Sequence, residues 1–497
     1  MTNDKTETTG RFVKVPGASF EPSERWRIMK NILAIGCAFM VNFTAFMGAA
    51  NLQSSINADQ SLGTFTLSAI YGSLLFSNIF LPALIISWLG CKWTMCVSIL
   101  AYMPFIASQF YPRFYTMIPA GLSVGLGGGP LWCAKCTYLT VAAEAYSTVS
   151  DIAADVLVTR FFGLFFMFYQ MAQVWGNLIS SAVLSYGVDT DVATNVTLNS
   201  SVVAETCGAN FCGVSNVEDE NPNLQPPAME RIHLISGIYL ACMILACLII
   251  AFCVDSLTRY AAFVSVHGRY DRNRARLVKG KSGLKLLAVT LKLLKERSQL
   301  LILPITLFIG AEQAFLFADY NASFVSCAWG ISNIGYVMIC FGITNAVAAL
   351  ATGSIVKLTG RKPVMIFAFC LHLSILIFMM RWRPTPDQGL VFFSISGLWG
   401  VCDSIWLVQV NALSGILFPG REEAAFSNFR LWESTGSVIT YIYSPYLCTS
   451  TKLYLLVGIL CAGMVGYGII EWSGGVDRVA AAGKPDFELV DSKEINR

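Results

Sequence analysis

The sequence predicts an all-α membrane protein with twelve transmembrane helices in two pseudo-repeated halves of six. Three observations predict this class. Of the 497 residues, 55% are hydrophobic and only 13% are charged, whereas an ordinary soluble chain carries about 25% charged residues. Twelve runs are apolar over roughly the 20 residues that a helix needs to cross a bilayer. A long basic segment separates six of these runs from the other six. The composition argues against a soluble multi-domain enzyme, and a net charge of +3 is too small to indicate nucleic-acid binding.

The predicted spans follow from a hydropathy window moved along the chain. A polar segment, 185–231, separates the fifth span from the sixth, and a basic segment, 255–299, separates the sixth from the seventh. The spans of the first half (31–254) are 31–50, 64–86, 94–111, 115–134, 161–183 and 232–254. The spans of the second half (300–471) are 300–319, 332–355, 363–380, 389–411, 425–447 and 452–471.

The distribution of basic residues predicts the orientation. If the N-terminal tail (1–30) is cytoplasmic, 29 of the 34 Lys and Arg residues lie on the cytoplasmic side. This bias obeys the positive-inside rule. An even number of spans then places the C-terminal tail (472–497) in the cytoplasm as well. We expect a multi-pass protein of the plasma membrane or an endomembrane, with both tails cytoplasmic.

The polar segment 185–231 is predicted to lie outside the membrane on the exterior side. Asn195 and Asn199 each begin an N-glycosylation acceptor pattern there, and Asn321 begins a third on the same side, close to the membrane. Cys207 and Cys212 share this segment. On an exterior face they would form a local disulfide; the alternative is a pair of free thiols.

The basic segment 255–299 is predicted to be a cytoplasmic linker between the halves. Within it, leucines recur at helical spacing beside several lysines, which is the pattern of an amphipathic helix that binds anionic lipids of the inner leaflet. The alternative is a solvated helical linker. The leucines are Leu284, Leu287, Leu291 and Leu294.

The two halves are related by one constant interval along the chain, which we call the repeat interval. It aligns Gly90 with Gly360 and Lys92 with Lys362. It also aligns Arg160 with Arg430, and each of these arginines begins the fifth span of its half. Two six-span repeats joined by a long cytoplasmic linker are typical of the major facilitator superfamily, whose halves rock about a central cavity.

The second loop of each half supports this assignment. Gly353 followed by Gly360-Arg361-Lys362 resembles the cytoplasmic loop motif of the superfamily. In that motif an acid follows the first glycine by four residues and helps to latch one conformation. Lys357 stands in its place, so the sequence does not predict this latch.

Several longer stretches resemble the Unc-ninety-three-like family, a branch of the major facilitator superfamily. They are GLGGGPLWCAKCTYLT from Gly125, NFRLWES from Asn428, NLQSSI from Asn51 and SAIYG from Ser68. The resemblance covers nearly all twelve spans. It implies a protein that regulates a potassium channel, or that escorts other membrane proteins through the secretory pathway, rather than one with a settled transport substrate.

Ionisable residues inside spans are candidate functional groups, because a charge in the membrane needs a partner or water. Glu312 lies near the middle of the seventh span, with Asp319 two turns later on the same face. Asp403 lies in the tenth span. We interpret Glu312 as a cavity-facing protonatable or cation-binding group; the alternative is a protonated side chain bonded to a neighbouring helix. Asp403 is a weaker candidate of the same kind.

Further polar residues complete the candidate set. Asn42 and Lys135 are candidates to line the same cavity, although interhelical hydrogen bonding explains Asn42 equally well. Arg430 and Glu433 are three residues apart and can pair along one helix face. We interpret them as a structural pair, with a gating contact as the alternative.

The sequence shows no nucleophile–base constellation and no metal-ligand cluster, so we expect no enzyme, metal or cofactor. Three functions remain open. The first is a regulator of a potassium channel and of ion balance, which the family resemblance implies. The second is a proton-coupled secondary transporter that uses Glu312 and Asp403. The third is a trafficking escort for other membrane proteins.

Overall fold

The computed structural model describes residues 23–56, 60–150, 152, 154–185, 206–212, 227–257, 292–293, 295–418 and 422–473. The regular elements of these residues are helices, and none is a strand. The predicted acceptors Asn195 and Asn199, the leucines of the predicted linker helix, and residues 1–22 and 474–497 of the two tails lie outside the described residues.

In the described residues of the first half there are five long helical segments. They are α1 Ser23–Ile56, α2 Gln60–Ala107, α3 Phe114–Val149, α4 Ala154–Ser185 and α5 Met229–Leu248, which continues as a π-helical turn, Ile249–Cys253. α2 is broken at Gly90, whose φ is 71° and ψ is 165°. It therefore supplies two antiparallel helices, 60–89 and 91–107, and the half has six. A short 3₁₀ turn, Gly208–Asn210, lies between α4 and α5.

The second half begins with a long composite helix. α6 runs over Arg297–Ala314 and continues as a π-helix, Phe315–Ser326, and one further turn, Cys327–Trp329. The helices that follow are α7 Ile334–Thr359, α8 Arg361–Arg381, α9 Gly389–Leu417, α10 Glu422–Tyr443 and α11 Thr449–Trp472. The prediction that the seventh span ends at 319 is wrong, because the polar residues that suggested an end are buried against other helices.

Nine of the described helical stretches are long and apolar enough to cross a membrane by length and composition. α3, α4 and α10 are not among them, although each is long enough to span. Each of the three buries a polar side chain within the protein: Lys135 in α3, Asn177 in α4 and Asn428 in α10. With these three, the described segments form the twelve-helix bundle that the sequence predicts.

The two ends of the bundle are distinct. We call the end at which α1 begins and α5 finishes the Asp255 end, and the opposite end, which carries two disulfides, the disulfide end. The halves meet most extensively through three pairs: α1 with the π-helix after α6, α4 with α7, and α2 with α10. Within the second half, α6 and α10 approach closely because Gly310 and Gly436 lack side chains. A Cβ atom at Gly310 would overlap the backbone oxygen of Glu433.

Candidate functional site

Two carboxylates meet inside the second half. Glu312 on α6 is fully buried, and Asp403 on α9 is 2% exposed. The two carboxyl groups are close enough to interact electrostatically. Gln313 Nε2 donates to Asp403 Oδ1 at 2.8 Å, and Asn345 Nδ2 of α7 donates to Oδ2. The pair therefore joins three helices, α6, α7 and α9.

An aromatic wall holds the Glu312 side chain. Trp399, one turn before Asp403 on α9, donates its indole N–H to Glu312 Oε2. The Trp399 ring stacks on Phe315, with centroids 5.8 Å apart, and meets the His372 ring edge-on at 4.6 Å. Trp406 Nε1 donates to His372 Nδ1 at 3.1 Å. Since Nδ1 accepts this bond, it carries no proton, and the histidine is neutral.

Asp319 is not part of this site. It lies in the π-helix, and its Oδ1 accepts hydrogen bonds from Lys452 Nζ of α11 at 2.5 Å and from Ser444 Oγ at 2.6 Å. Asp319 and Lys452 are each 3% exposed. The expectation that Asp319 shares a face with Glu312 is wrong, because the two carboxylates contact different helices. We interpret Asp319 as half of a buried ion pair between α6 and α11.

Arg430 and Glu433 form the predicted pair on α10, with Nη1 of Arg430 2.8 Å from Oε2 of Glu433. The glutamate side chain is 10% exposed and the arginine side chain is 62% exposed. The guanidinium also interacts electrostatically with Tyr169 of α4 and Lys135 of α3. It therefore lies near the first half.

Lys135 lies against aromatic rings and makes no ion pair with an acid of the described residues. Its Nζ lies 4.2 Å from the centroid of Phe165, and within 5.1 Å of three more rings. Stacking a cation over aromatic faces is favourable, and more so when water is excluded. The other rings belong to Trp132, Phe162 and Phe166.

A polar layer joins the halves near the disulfide end. Asn51 Nδ2 donates to Asn177 Oδ1 at 2.8 Å, and Asn321 Nδ2 donates to the backbone oxygen of Asn51 at 3.3 Å. Ser181 Oγ donates to the backbone oxygen of Ser332 at 2.7 Å. Nearer the middle of the bundle, the rings of Tyr71 and Tyr441 stack with centroids 5.7 Å apart.

Asn42 lies on α1, closer to the Asp255 end than Asn51 does, and is fully buried. Its side-chain amide has no hydrogen-bond partner among the described residues. The repeat interval aligns Asn42 with Glu312, so the two residues hold equivalent places in α1 and α6. Of the predicted cavity residues, Glu312 and Asp403 lie together in the second half. Asn42 and Lys135 lie apart from them in the first half.

The loop motif forms two matching turns at the Asp255 end. Gly90 and Gly360 have φ of 71° and 84°, a region that other L-residues rarely adopt. Lys362 Nζ lies 3.3 Å from Glu471 Oε2 of α11. Arg361 Nε and Nη1 have no hydrogen-bond partner among the described residues. The motif's acid would be a natural partner, and Lys357 replaces it. Gly353 lies inside α7, and Lys92 lies beside the Trp93 ring.

The predicted Cys207–Cys212 disulfide is wrong, and so is the alternative of two free thiols. Cys207 bonds to Cys327, after the π-helix, and Cys212 bonds to Cys448, just before α11. The 3₁₀ turn between the two loop cysteines carries each to a different helix end. Cys327 and Cys448 both lie near the predicted exterior side. Their positions in the sequence could therefore have indicated them as partners of the two loop cysteines.

Asn321 as a glycosylation acceptor is also contradicted. Its side chain is fully buried, and its Nδ2 donates to the backbone oxygens of Asn51 and Phe317. A glycan needs an exposed asparagine, and this one lies between two helices. The acceptor tripeptide there is a chance match.

Other contacts were invisible to sequence reasoning. Trp399 and His372 lie in apolar runs of the sequence, and only the fold places Trp399 on Glu312 and His372 against Trp399. Asp255 accepts a hydrogen bond from Arg27 Nε at 2.7 Å and another from Asn31, and thereby joins the start of α1 to the end of α5. The repeat interval aligns Asn51 with Asn321, and both positions carry asparagine, so the sequence could have marked these two residues as a related pair.

The bundle and its buried polar groups define a multi-pass membrane protein with the major facilitator fold. A solved variant of the nucleoside transporter NupG has this fold, with a TM-score of 0.58 at 12% identity, over 89% of this chain and 99% of that one. This likeness shows the fold alone.

The family is shown by the sequence comparisons. The family model "Ion channel regulatory protein UNC-93" matches residues 54–466, so the chain belongs to the UNC-93 family. Protein unc-93 homolog A of Xenopus laevis is 39% identical over 94% of this chain and 98% of its own length. A Caenorhabditis elegans protein named, provisionally, potassium channel regulatory protein unc-93 is 32% identical over 90% of this chain and 61% of its own length.

Proposed function

We propose that this protein is a non-enzymatic regulator of a potassium channel and, through it, of cellular ion balance. The observation that carries the proposal is family membership over most of the chain, together with the Caenorhabditis elegans relative whose name states that role. Both relatives are named as regulatory or homologous proteins and not as enzymes.

The proposed topology places the Asp255 end and both tails in the cytoplasm, in the plasma membrane or an endomembrane. Two observations support it. The bias of Lys and Arg follows the positive-inside rule, and the two disulfides lie at the opposite end. Disulfides persist on the exterior or lumenal side, where the environment is oxidising. The tails, loop 185–231 and linker 255–299 then keep the sides predicted from the sequence.

The test is co-expression with each of a panel of potassium channels, with current and channel surface amount measured in the same cells. We expect at least one channel to change its current per channel at the surface. A proportional change in surface amount and current would instead support the escort function. No change in any channel would contradict both. Cells expressing the channel with the NupG transporter serve as a control for overexpression of a protein with this fold.

Secondary transport is a second candidate, which the buried Glu312–Asp403 pair and the fold favour. Purified protein in liposomes under a proton gradient would then move a solute, and Glu312→Gln would abolish the flux. Glu471→Gln, at the Asp255 end and remote from this pair, is the matched control. Absence of proton-driven uptake across a panel of nucleosides, sugars and short peptides would weigh against this candidate.

A further inference from the structure

The four carboxyl oxygens of Glu312 and Asp403 outnumber the hydrogen-bond donors of the described residues that contact them. Asp403 receives one amide N–H on each oxygen, from Gln313 and Asn345. Glu312 Oε2 receives the Trp399 indole N–H. Glu312 Oε1 is buried and has no hydrogen-bond partner among the described residues. The donor that this oxygen lacks must come from something other than these side chains.

Among the described residues, the groups that surround the pair supply no positive charge. From α8, His372 is neutral, since its Nδ1 accepts the Trp406 N–H. From α10, Glu433 adds negative charge, and its partner Arg430 is committed to it. From α9, Cys402 is a buried thiol, and a thiol carries no positive charge in either protonation state. In the described part of the chain, neither Glu312 nor Asp403 makes an ion pair.

Two adjacent carboxylates buried without a cation are strongly unfavourable, since like charges repel more in a medium of low dielectric constant. A single proton removes one of the two charges. It also supplies the missing O–H donor between the carboxyl groups, which then titrate as a pair and not as separate residues. We propose that Glu312 and Asp403 together bind one proton near the middle of the membrane.

The proton would connect α6, α7 and α9. While it is bound, the carboxyl groups attract each other through the shared O–H. When the O–H bond breaks, its electron pair stays on the carboxyl oxygen, the proton passes to water, and the two carboxylates repel. If the protein regulates a channel, as proposed above, the change from attraction to repulsion makes that regulation dependent on pH.

Infrared spectroscopy of the full chain in lipid nanodiscs tests the site directly. We expect wild type at neutral pH to show the C=O stretch of a protonated carboxylic acid, and the double variant Glu312→Gln/Asp403→Asn to lack it. Glu433→Gln is the matched control, because Glu433 is buried in the same half but has Arg430 as its partner; this variant should keep the band. The substitutions are nearly isosteric, so the variants should keep the fold. The presence or absence of the band in wild type already decides whether a protonated carboxylic acid exists.

Three results would overturn the proposal: no such band in wild type, a band that survives in the double variant, or a band that sodium or potassium ions remove at constant pH. The last would show that an alkali cation occupies the site. A second readout is the pH dependence of the regulated channel current, which the double variant should abolish. If no channel responds, the proposed function fails while the infrared result still decides the proton site.

Discussion

Asn321 Nδ2 donates a hydrogen bond to the backbone oxygen of Asn51, and these two asparagines are 270 residues apart. The same interval relates Gly90 to Gly360, which adopt nearly the same backbone conformation. Repeat-equivalent residues of α1 and of the π-helix after α6 therefore touch near the disulfide end.

Loss of this contact should weaken the join between the halves. Asn321→Ala removes both bonds of its amide, and we expect the free energy of unfolding to fall by about 0.5–1.5 kcal/mol, the range found for hydrogen bonds between helices of a membrane protein. Thermal unfolding in detergent measures this. Ser374→Ala is a suitable control, because Ser374 is exposed and bonds only within its own helix. An equal loss in both variants would contradict the prediction.

Asn321 should carry no glycan. Its burial between helices excludes the transferase and the sugar, so Asn321→Gln should leave the electrophoretic mobility of the protein unchanged before and after deglycosylation. Asn195→Gln and Asn199→Gln test the two acceptors that remain predictions. A mobility shift confined to Asn321→Gln would show that this asparagine is exposed during synthesis.

Peptide mapping without reduction should recover Cys207 with Cys327 and Cys212 with Cys448. The paired substitution Cys207→Ser/Cys327→Ser should lower stability by about 2–4 kcal/mol, since a disulfide that closes a long loop restricts the unfolded chain. Cys370→Ser, at an exposed free thiol, is the control and should change little. Recovery of a Cys207–Cys212 peptide would refute the pairing.

Removing only one partner of the Asp319–Lys452 ion pair should lower the free energy of unfolding more than removing both. Lys452→Met leaves a buried carboxylate without its cation, and we expect a loss of about 3–5 kcal/mol. The double variant Asp319→Leu/Lys452→Met should recover part of this loss, because no charge is left unpaired. Thermal unfolding of wild type and both variants checks it. A double variant that is no more stable than Lys452→Met would contradict the prediction.

Asp255 gives a prediction about pH. The hydrogen bond from Arg27 holds the pKa of this carboxyl at about 2, below its ordinary value of 3.8. Because the folded-state pKa is the lower one, the carboxylate stabilises the fold above about pH 4, and this contribution disappears as the pH falls toward 2. The stability difference between wild type and Asp255→Asn should therefore shrink over this range. A difference that stays constant would contradict the assignment.

The sequence by itself determined the class of the protein. Apolar runs of bilayer length, basic connecting segments and a constant repeat interval are local or periodic properties, so they predict the helices, the halves and the glycine turns at Gly90 and Gly360. Burial of a carboxylate also demands a partner wherever the chain folds, which is why the sequence alone makes Glu312 and Asp403 candidates.

Only the tertiary structure decided which groups become partners. Glu312 and Asp319 lie two helical turns apart, yet one contacts α9 and the other α11. Cys207 and Cys212 are close neighbours in one loop, yet each bonds to a cysteine more than a hundred positions further along the chain. Helix packing brings distant residues within bonding distance, and hydropathy along one chain carries no information about which helix lies beside which.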